Sequence, residues 1–510
     1  MRREFWAQFD LYAQLNRNEW QNKNILDGLV AKNEVGLPDG WSFLNEFSRI
    51  QILAAVLASN KQARWRDKNN RPRAVKVKDY ARTGALQYGE KSGLLYLYNE
   101  NIFQYFLDNS LKETGDVLAH PSLPDLSLFP PGSWAVQVHL TLKKPYISKD
   151  DVDFYILDNP VKKEWVFKVP YVAPSQWKGA LRSAMMRKLV DALRSSQIDE
   201  EGFTRERLRL YRLFGNEKDG TAEFLNRALT NHRASTRSGD APQAQEWEEL
   251  YKQVALEFEE NVRAAGYRTE NVEGFQGRLH FYPTFFDRID LEVINPHDRK
   301  TGAGKNPIYF ECVPAGTEGV FTLLYVPLDQ VGRSSREEIE QEAKADLKAV
   351  AEGVKAMLTE YGFGAKTSSG YGVVEGEEAT VVVKTNAPGW FKAAPPSSET
   401  TEVVPPDEAF LKYLDETGEV KEAFKGSSEG GLLSNSEYKE RGQSLGGGTL
   451  AEFRRFRAWY LKYGATWRTP HSKQKPADSS ILGTPQKTFH SLSEFAQIAH
   501  SLTSGGGENA

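Results

Sequence analysis

The pattern of apolar and polar positions predicts alternating strands and helices between about residue 131 and residue 385. Apolar and polar residues alternate over Trp134–Leu142, which is typical of a strand with one buried face. Over Gln176–Leu193 the apolar residues recur at helical spacing, and Ser175 stands where a side chain can cap the helix. Further segments with strand-like patterns are Gly277–Phe286, Asp290–Ile294, Ile308–Val313, Gly319–Val326 and Val373–Lys384.

A second long helix is predicted over Ser335–Tyr361, because Ser334 and Ser335 precede Glu337 and Glu338 as in an N-terminal capping pattern. The order is therefore strand, helix, strands, helix, strand. This order suits an antiparallel sheet with two helices on one face, which is the ferredoxin-like (RRM-like) arrangement of an α+β protein.

Changes in composition divide the chain into four parts. We expect an N-terminal extension over 1–130, the core over 131–385 with a charged helical insertion at about 195–274, and a linker over 386–406 that is rich in Pro, Ser and Thr. A C-terminal extension over 407–510 follows, and its Gly-rich tail is expected to be disordered.

Composition narrows the class of protein. The 510 residues carry a net charge of −4, so a site for nucleic acid must be a local basic patch or be shared with partner subunits. The single cysteine, Cys312, excludes an internal disulfide framework. No apolar run is long enough to span a bilayer, so we expect a cytoplasmic protein without a membrane partner.

The strongest local concentration of positive charge lies in the N-terminal extension. Residues 60–82 contain nine Lys or Arg and two Asp. Clustered cations neutralise a phosphate backbone, so Arg64, Arg66, Arg71 and Arg73 are candidate RNA contacts. The alternative interpretation, a solvated basic loop, stays open.

Two further segments are candidates for binding an anion through backbone amides or cationic side chains. The segment GFGAKTSSGYG, residues 362–372, runs from helix to strand and lacks the spacing of a phosphate-binding P-loop. It is either a glycine helix cap with a turn or a loop whose amides meet RNA phosphates. Its candidate contacts are Gly362, Gly364, Lys366, Thr367, Ser368, Gly370 and Gly372. At the start of the first helix the candidates are Ser175, Lys178 and Arg182, the last two one helical turn apart.

Four segments taken in order carry a family resemblance. They are LDNPV at 157–161, VPYVAPSQWKGALR at 169–182, YRLFGNEK at 211–218 and GFGAKTSSGYG at 362–372. Together they resemble the RAMP superfamily, and within it the backbone subunits of type III CRISPR effector complexes. The resemblance implies crRNA, crRNA-paired target RNA and other effector subunits as partners. It also implies a β-hairpin thumb, which the sequence does not locate.

The resemblance makes Asp158 a candidate catalytic residue, because similar subunits cut target RNA with an aspartate in this loop. Such an enzyme would be a metal-dependent endoribonuclease, with Asp158 holding Mg²⁺ or another divalent cation. Residues 293–322 look more like the branch at the end of the complex, which favours a non-catalytic end-capping subunit as the alternative. A third hypothesis is a crRNA-processing endoribonuclease with His297 as general base.

Overall fold

A computed structural model describes most of the predicted core. The described residues are 121–148, 159–165, 168–217, 219–237, 244–267, 274–298, 300–387 and 485–503, with shorter pieces at 49, 64–66, 72–74, 95, 98–99, 389–391, 408–415, 419–428 and within 432–460. No helix among these residues is long and apolar enough to cross a membrane.

An antiparallel sheet of five strands forms the centre of the described core. Its members in chain order are β3 (Trp134–Thr141), β5 (Leu279–Phe281), β9 (Glu318–Tyr325), β10 (Thr380–Thr385) and β12 (Gln486–Phe489). Their spatial order is β12-β10-β3-β9-β5, and every neighbouring pair is antiparallel. Without β12, the remaining four strands have the order fourth, first, third, second, which is compatible with the predicted ferredoxin-like arrangement.

Two long helices pack together against this sheet. They are α1 (Pro174–Arg194) and α5 (Arg336–Ala356), and the buried ring of Trp177 on α1 meets Phe321 of β9 edge-on, 4.9 Å between centroids. Further described segments are the helix α6 (Leu492–Ser501), which contacts α5, a π-helical turn at Met357–Tyr361, and 3-10 turns at Leu126–Leu128, Leu328–Gln330, Thr367–Ser369, Glu408–Tyr413 and Glu422–Phe424. The predicted α+β fold class is confirmed.

The opposite face of the sheet is not left to solvent. Residues preceding β3 cover it: Leu126 packs with Ala135, Leu324 and Val326, and Gln137 donates a hydrogen bond to the carbonyl of Pro121. The alternating pattern of β3 predicted one buried face, whereas Ala135 and Gln137 on the second face are buried as well. The segment that precedes β3 packs over the second face of the sheet, and this explains why both faces of β3 are buried.

The described part of the predicted helical insertion contains three helices, α2 (Glu200–Phe214), α3 (Asp219–Arg237) and α4 (Ala244–Ala264). Buried Arg207 joins them. Its guanidinium makes a two-point ion pair with Glu217, donates to Asn226 on α3, and lies 3.6 Å from the ring centroid of Phe258 on α4.

Three two-stranded sheets are described in addition to the central sheet. They are β1 (Arg64–Arg66) with β2 (Pro72–Ala74), β4 (Tyr171–Val172) with β6 (Thr284–Phe285), and β7 (Asp290–Ile294) with β8 (Ile308–Cys312). The predicted strand Gly277–Phe286 is interrupted between β5 and β6 at Tyr282 and Pro283, because proline lacks the amide that a sheet ladder needs.

The two predicted helix starts have different outcomes. Ser335 caps α5, and its reciprocal hydrogen bonds with Glu338 form the predicted capping box. The assignment of Ser175 as the cap of α1 is wrong. The helix begins at Pro174, two residues before the predicted Gln176, and Ala173 is the N-cap. Pro174 occupies the first turn because its fixed φ suits that position.

The chain divides into two compact units, one formed by Met1–Pro388 with Thr484–Ala510 and one formed by Gly389–Gly483. This division splits the segment predicted as a single C-terminal extension. In the first unit, β12 pairs with β10 and α6 contacts α5. The second unit contains the strand β11 (Lys425–Ser428) and a buried aromatic cluster that includes Tyr413, Tyr438 and Phe453.

Candidate nucleic-acid interface

A groove runs between one face of α1 and the glycine-rich loop 362–372, and we call it the α1–loop groove. It consists of two depressions of about 210 Å³ and 380 Å³ that share Gln176 and Gly364. The first is lined by Gln176, Gly179, Ala180, Ser183, Ala184, Arg187, Tyr361, Gly362, Phe363, Gly364 and Thr367. The second is lined by Ser148, Lys162, Ser175, Gln176, Gly364 and Ala365.

The helix side of the groove is made of small residues. Gly179, Ala180, Ser183 and Ala184 recur at helical spacing on one face of α1, and Arg187 continues that face one turn further. A Cβ atom added to Gly179 would meet no other atom within 4 Å, so this part of the groove is open. The small side chains leave room beside the helix for an extended ligand.

The loop side is shaped by glycines that the fold itself requires. Gly362, Gly364 and Gly372 have positive φ, and a Cβ on any of them would clash with backbone oxygen atoms of Tyr371, Ile147 and Phe363 respectively. Gly370 also has positive φ, but a Cβ there would meet nothing. Close packing within the chain therefore accounts for three of these glycines before any ligand is considered.

An aromatic floor holds the loop against the helix. The Trp177 ring lies 4.4 Å from that of Phe363, and the Phe363 ring lies 5.4 Å from that of Tyr146. The Tyr146 hydroxyl donates to Gln176 on α1, and the amide of Ala365 donates to the carbonyl of Ile147. These buried contacts fix the distance between the two walls of the groove.

Positive charge lies at both ends of the groove. Lys162 lines one end, and Arg187 lines the other with its guanidinium 5.3 Å from the Tyr361 ring centroid. Within the described parts of the chain, neither cation forms an ion pair with a carboxylate. Burial, followed by the charges of Asp191 and Glu360, raises the pKa of Tyr361, so its hydroxyl stays neutral at physiological pH.

The tip of the glycine-rich loop offers backbone donors. Lys366 adopts a left-handed conformation, φ 59°, and starts the 3-10 turn Thr367–Ser369. The amides of Lys366, Thr367 and Ser368 have no hydrogen-bond partner among the residues that the structure describes. The Lys366 ammonium lies 5.3 Å from the ring centroid of Phe310 on β8. Such amides, next to a lysine, are chemically suited to phosphate oxygens.

The predicted cations Lys178 and Arg182 do not line the groove. Arg182 donates to the carbonyl of Phe214 and lies over its ring, and burial lowers the pKa of its guanidinium. Lys178 is near His280: burial and then the charge of Lys178 lower the pKa of that imidazole. Both cations thus lie on the side of α1 that faces β5 and the end of α2, whereas Ser175 lines the groove.

The loop that contains LDNPV begins and ends at the groove. The amide of Lys162 donates to the Ser148 hydroxyl over 2.7 Å, and both residues line the groove. Asn159 donates to the carbonyl of Tyr309, and Lys163 forms a fully buried ion pair with Glu311 on β8. The end of the loop at Asn159–Lys163 is therefore anchored to β8, and the end at Ser148 is tied to Lys162.

Several predicted site residues lie outside the described part of the chain. They are Asp158, Arg71 and the side chains of Arg64, Arg66 and Arg73, whose backbones lie in β1 and β2. His297 is described and exposed, in the segment that joins β7 to β8, and it does not line the groove. No group of three or more His, Cys, Asp or Glu side chains among the described residues is arranged to hold a metal ion.

Sequence reasoning missed Lys162 and Arg187. A signal for Arg187 was present, since it lies four and eight residues after Ser183 and Gly179 on the stripe of small residues. Lys162 directly follows the LDNPV segment. The pattern at the helix start favoured Lys178 and Arg182, which lie on a different face of α1 from the residues that line the groove.

The described core is an α+β domain with a basic groove beside a glycine-rich loop. Residues 155–375 match the model of the RAMP superfamily. No curated protein matches the chain.

Three of the solved structures that are similar to the chain are compared with it by sequence identity, coverage and TM-score. A chain of the type III-B Cmr-beta complex bound to cognate target RNA is 13% identical, with 72% of this chain and 90% of that chain covered and a TM-score of 0.25. Cmr6 from Pyrococcus furiosus is 18% identical, with 48% of this chain and 97% of that chain covered and a TM-score of 0.23. A chain of a CRISPR RNA-guided surveillance complex is 12% identical, with 72% of this chain and 98% of that chain covered and a TM-score of 0.28.

Proposed function

We propose that this chain is a subunit of a type III CRISPR effector complex and that it holds the sugar-phosphate backbone of the crRNA in the α1–loop groove. The family match covers every residue that lines the groove except Ser148. The four ordered motifs support the type III assignment. Target RNA paired to the crRNA and the other effector subunits are the further partners of the proposal.

The observation that carries this proposal is the chemistry of the groove walls. Open space over the small-residue face of α1 admits a chain-like ligand. Lys162 and Arg187 lie at its two ends, and the amides at the loop tip have no hydrogen-bond partner among the described residues. A phosphate backbone needs this combination of cations and backbone donors and no base-specific groups. With a net charge of −4, the chain needs either such a local site or one shared with partner subunits.

Replacing Arg187 by Ala tests the groove. The matched control is Arg194→Ala, because Arg194 is an exposed arginine on the same helix and pairs with Asp191 outside the groove. We expect Arg187→Ala to weaken binding of single-stranded RNA and to reduce the slope of log affinity against log salt by about 0.7, the value for one lost phosphate contact. Fluorescence anisotropy at several salt concentrations measures both quantities.

Equal affinity and equal slope for Arg187→Ala and Arg194→Ala would exclude the groove as the binding site. Lys178→Ala in the same assay tests the predicted contact on the other side of α1. If Lys178→Ala lowers the slope and Arg187→Ala does not, RNA follows the β5 side of the helix.

Cleavage of target RNA by Asp158, with Mg²⁺ or another divalent cation, is the second candidate activity. It is favoured by the anchoring of Ser148 and of Asn159–Lys162, the residues on either side of the Asp158 loop, at the groove and at β8. In the assembled complex with crRNA, labelled target RNA and Mg²⁺, Asp158→Ala is expected to abolish the cuts that this subunit makes. Unchanged cuts from an intact complex would favour the non-catalytic end-capping subunit.

The hairpin of β7 and β8 is our candidate for the thumb of the family. Its strands are paired over five residues, and Val293 and Ile308 near its outer end are exposed. His297 belongs to the same hairpin. Unaltered processing of repeat RNA by His297→Ala would count against the processing hypothesis.

A further inference from the structure

A small turn projects beside the groove and exposes a tryptophan. Lys163 and Pro170 form an antiparallel bridge. The amide of Glu164 donates to the carbonyl of Val169, and the amide of Lys168 donates to the carbonyl of Glu164. Trp165 therefore lies near the tip of this turn, with 72% of its surface exposed. We call this feature the Trp165 turn.

The base of the Trp165 turn is held rigidly. Lys163 makes the fully buried ion pair with Glu311, and the hydroxyl of buried Tyr98 donates to the carbonyl of Lys168. Lys168 has φ of 58°, a left-handed conformation that is unfavourable for a residue with a Cβ atom. The surrounding contacts therefore impose this backbone and fix the direction of the turn.

One cation lies against the exposed indole, and a second is close to it in the chain. The Lys168 ammonium lies 4.9 Å from the Trp165 ring centroid. Lys162, which lines the α1–loop groove, precedes Trp165 by three residues, so their Cα atoms are at most about 11 Å apart. An aromatic face with flanking positive charge complements a planar base attached to a phosphate.

We infer that Trp165 is a stacking platform for one unpaired nucleobase of RNA whose backbone lies in the groove. The inference rests on the proposed function and adds a base contact to its backbone contacts. Charge decides in favour of RNA as the occupant, because the Lys168 ammonium lies against the ring and Lys162 lines the adjoining groove, and an apolar protein surface would offer these cations no anion. Stacking tolerates any base, so the platform confers affinity and position rather than sequence recognition.

The test compares Trp165→Ala and Trp165→Tyr with the wild-type full-length chain. Trp165→Ala should weaken binding of a labelled single-stranded RNA by roughly 5- to 150-fold, the range for loss of one stacked base. Trp165→Tyr keeps a ring and should retain most of the affinity. Leu128→Ala is the matched control, since Leu128 is a large apolar residue with 90% exposure away from the turn.

An RNA backbone without bases separates stacking from charge. Trp165→Ala and the wild type should bind an abasic oligomer of the same length equally, because that oligomer has no base to stack. Thermal unfolding of each variant checks the fold, and the exposed position of Trp165 predicts unchanged midpoints. An oligomer containing 5-iodouridine should also crosslink to the peptide that carries Trp165.

Three outcomes would overturn the inference. If Trp165→Ala binds RNA like the wild type while Arg187→Ala does not, the groove binds the RNA backbone but no base stacks on Trp165. If Trp165→Ala keeps its RNA affinity but no longer assembles with other subunits, Trp165 is a protein contact. If the wild type binds no RNA, alone or assembled, the proposed function fails together with the platform.

Discussion

At the scale of single residues, the glycine-rich loop is shaped by steric necessity. Gly372 has φ of 69°, and a Cβ there would lie well inside van der Waals contact with the Phe363 carbonyl oxygen. Gly372→Ala is therefore expected to destabilise the core by about 3 kcal/mol or more, as for severe strain at a special backbone position. Urea unfolding followed by circular dichroism measures the loss.

Gly370→Ala is the control for this prediction. Gly370 has a similar φ of 83°, but a Cβ there meets nothing within 4 Å, so its replacement should cost only the conformational penalty of about 1–2 kcal/mol. Equal destabilisation by the two substitutions would show that close approach to Phe363 is unimportant.

The sequence predicted the location of this loop and the types of residue in it. It did not distinguish the glycines required by packing from those free to meet a ligand, because that depends on which distant carbonyls approach them. Ile147, more than two hundred residues earlier, supplies the oxygen against Gly364.

At the scale of elements, the insertion depends on Arg207. The side chains of Arg207 and Glu217 are almost fully buried, so removing the cation leaves a carboxylate without its partner. Arg207→Leu should lower the free energy of unfolding by about 3–5 kcal/mol, and hydrogen exchange should rise first in α2, α3 and α4. Arg227→Leu is the control, because its ion pair with Glu223 is exposed.

A uniform rise in exchange over the whole core would contradict this prediction, since it would mean that the three helices unfold only with the sheet. A similar loss of stability in Arg227→Leu would also contradict it. Surface pairs of this kind contribute about 0–1 kcal/mol.

The elements themselves were largely predictable from local patterns. β7 and the capped start of α5 have the residues that periodicity and capping indicated. Two boundaries were wrong for local reasons: Pro174 displaced Ser175 from the cap, and Pro283 lies where the predicted strand is interrupted.

At the scale of the whole molecule, the end of the chain completes the sheet. β12 covers the outer edge of β10, and Phe489, Leu492 and Phe495 are buried. A chain ending at residue 388 should therefore be strongly destabilised and prone to aggregation, because β10 becomes an open edge. A chain in which 389–483 is replaced by a short Gly-Ser linker should keep the cooperative unfolding of the core.

Differential scanning calorimetry and light scattering of both variants check this prediction. The linker variant is its control, since it removes 389–483 but keeps β12 and α6. If the truncated chain unfolds at the wild-type temperature and stays monomeric, β12 and α6 contribute nothing to the core.

The sequence by itself determined the local structure: strand periodicity, helix capping, the glycine-rich loop and the ordered motifs that resemble the RAMP superfamily. These signals depend on residues a few positions apart. The tertiary structure alone decided that β12 joins a sheet whose first core strand begins at Trp134, that Lys162 and Arg187 share a groove, and that Trp165 stays exposed. The physical reason is that strand pairing, groove walls and burial depend on contacts between residues far apart in the chain, whose energies no local pattern specifies.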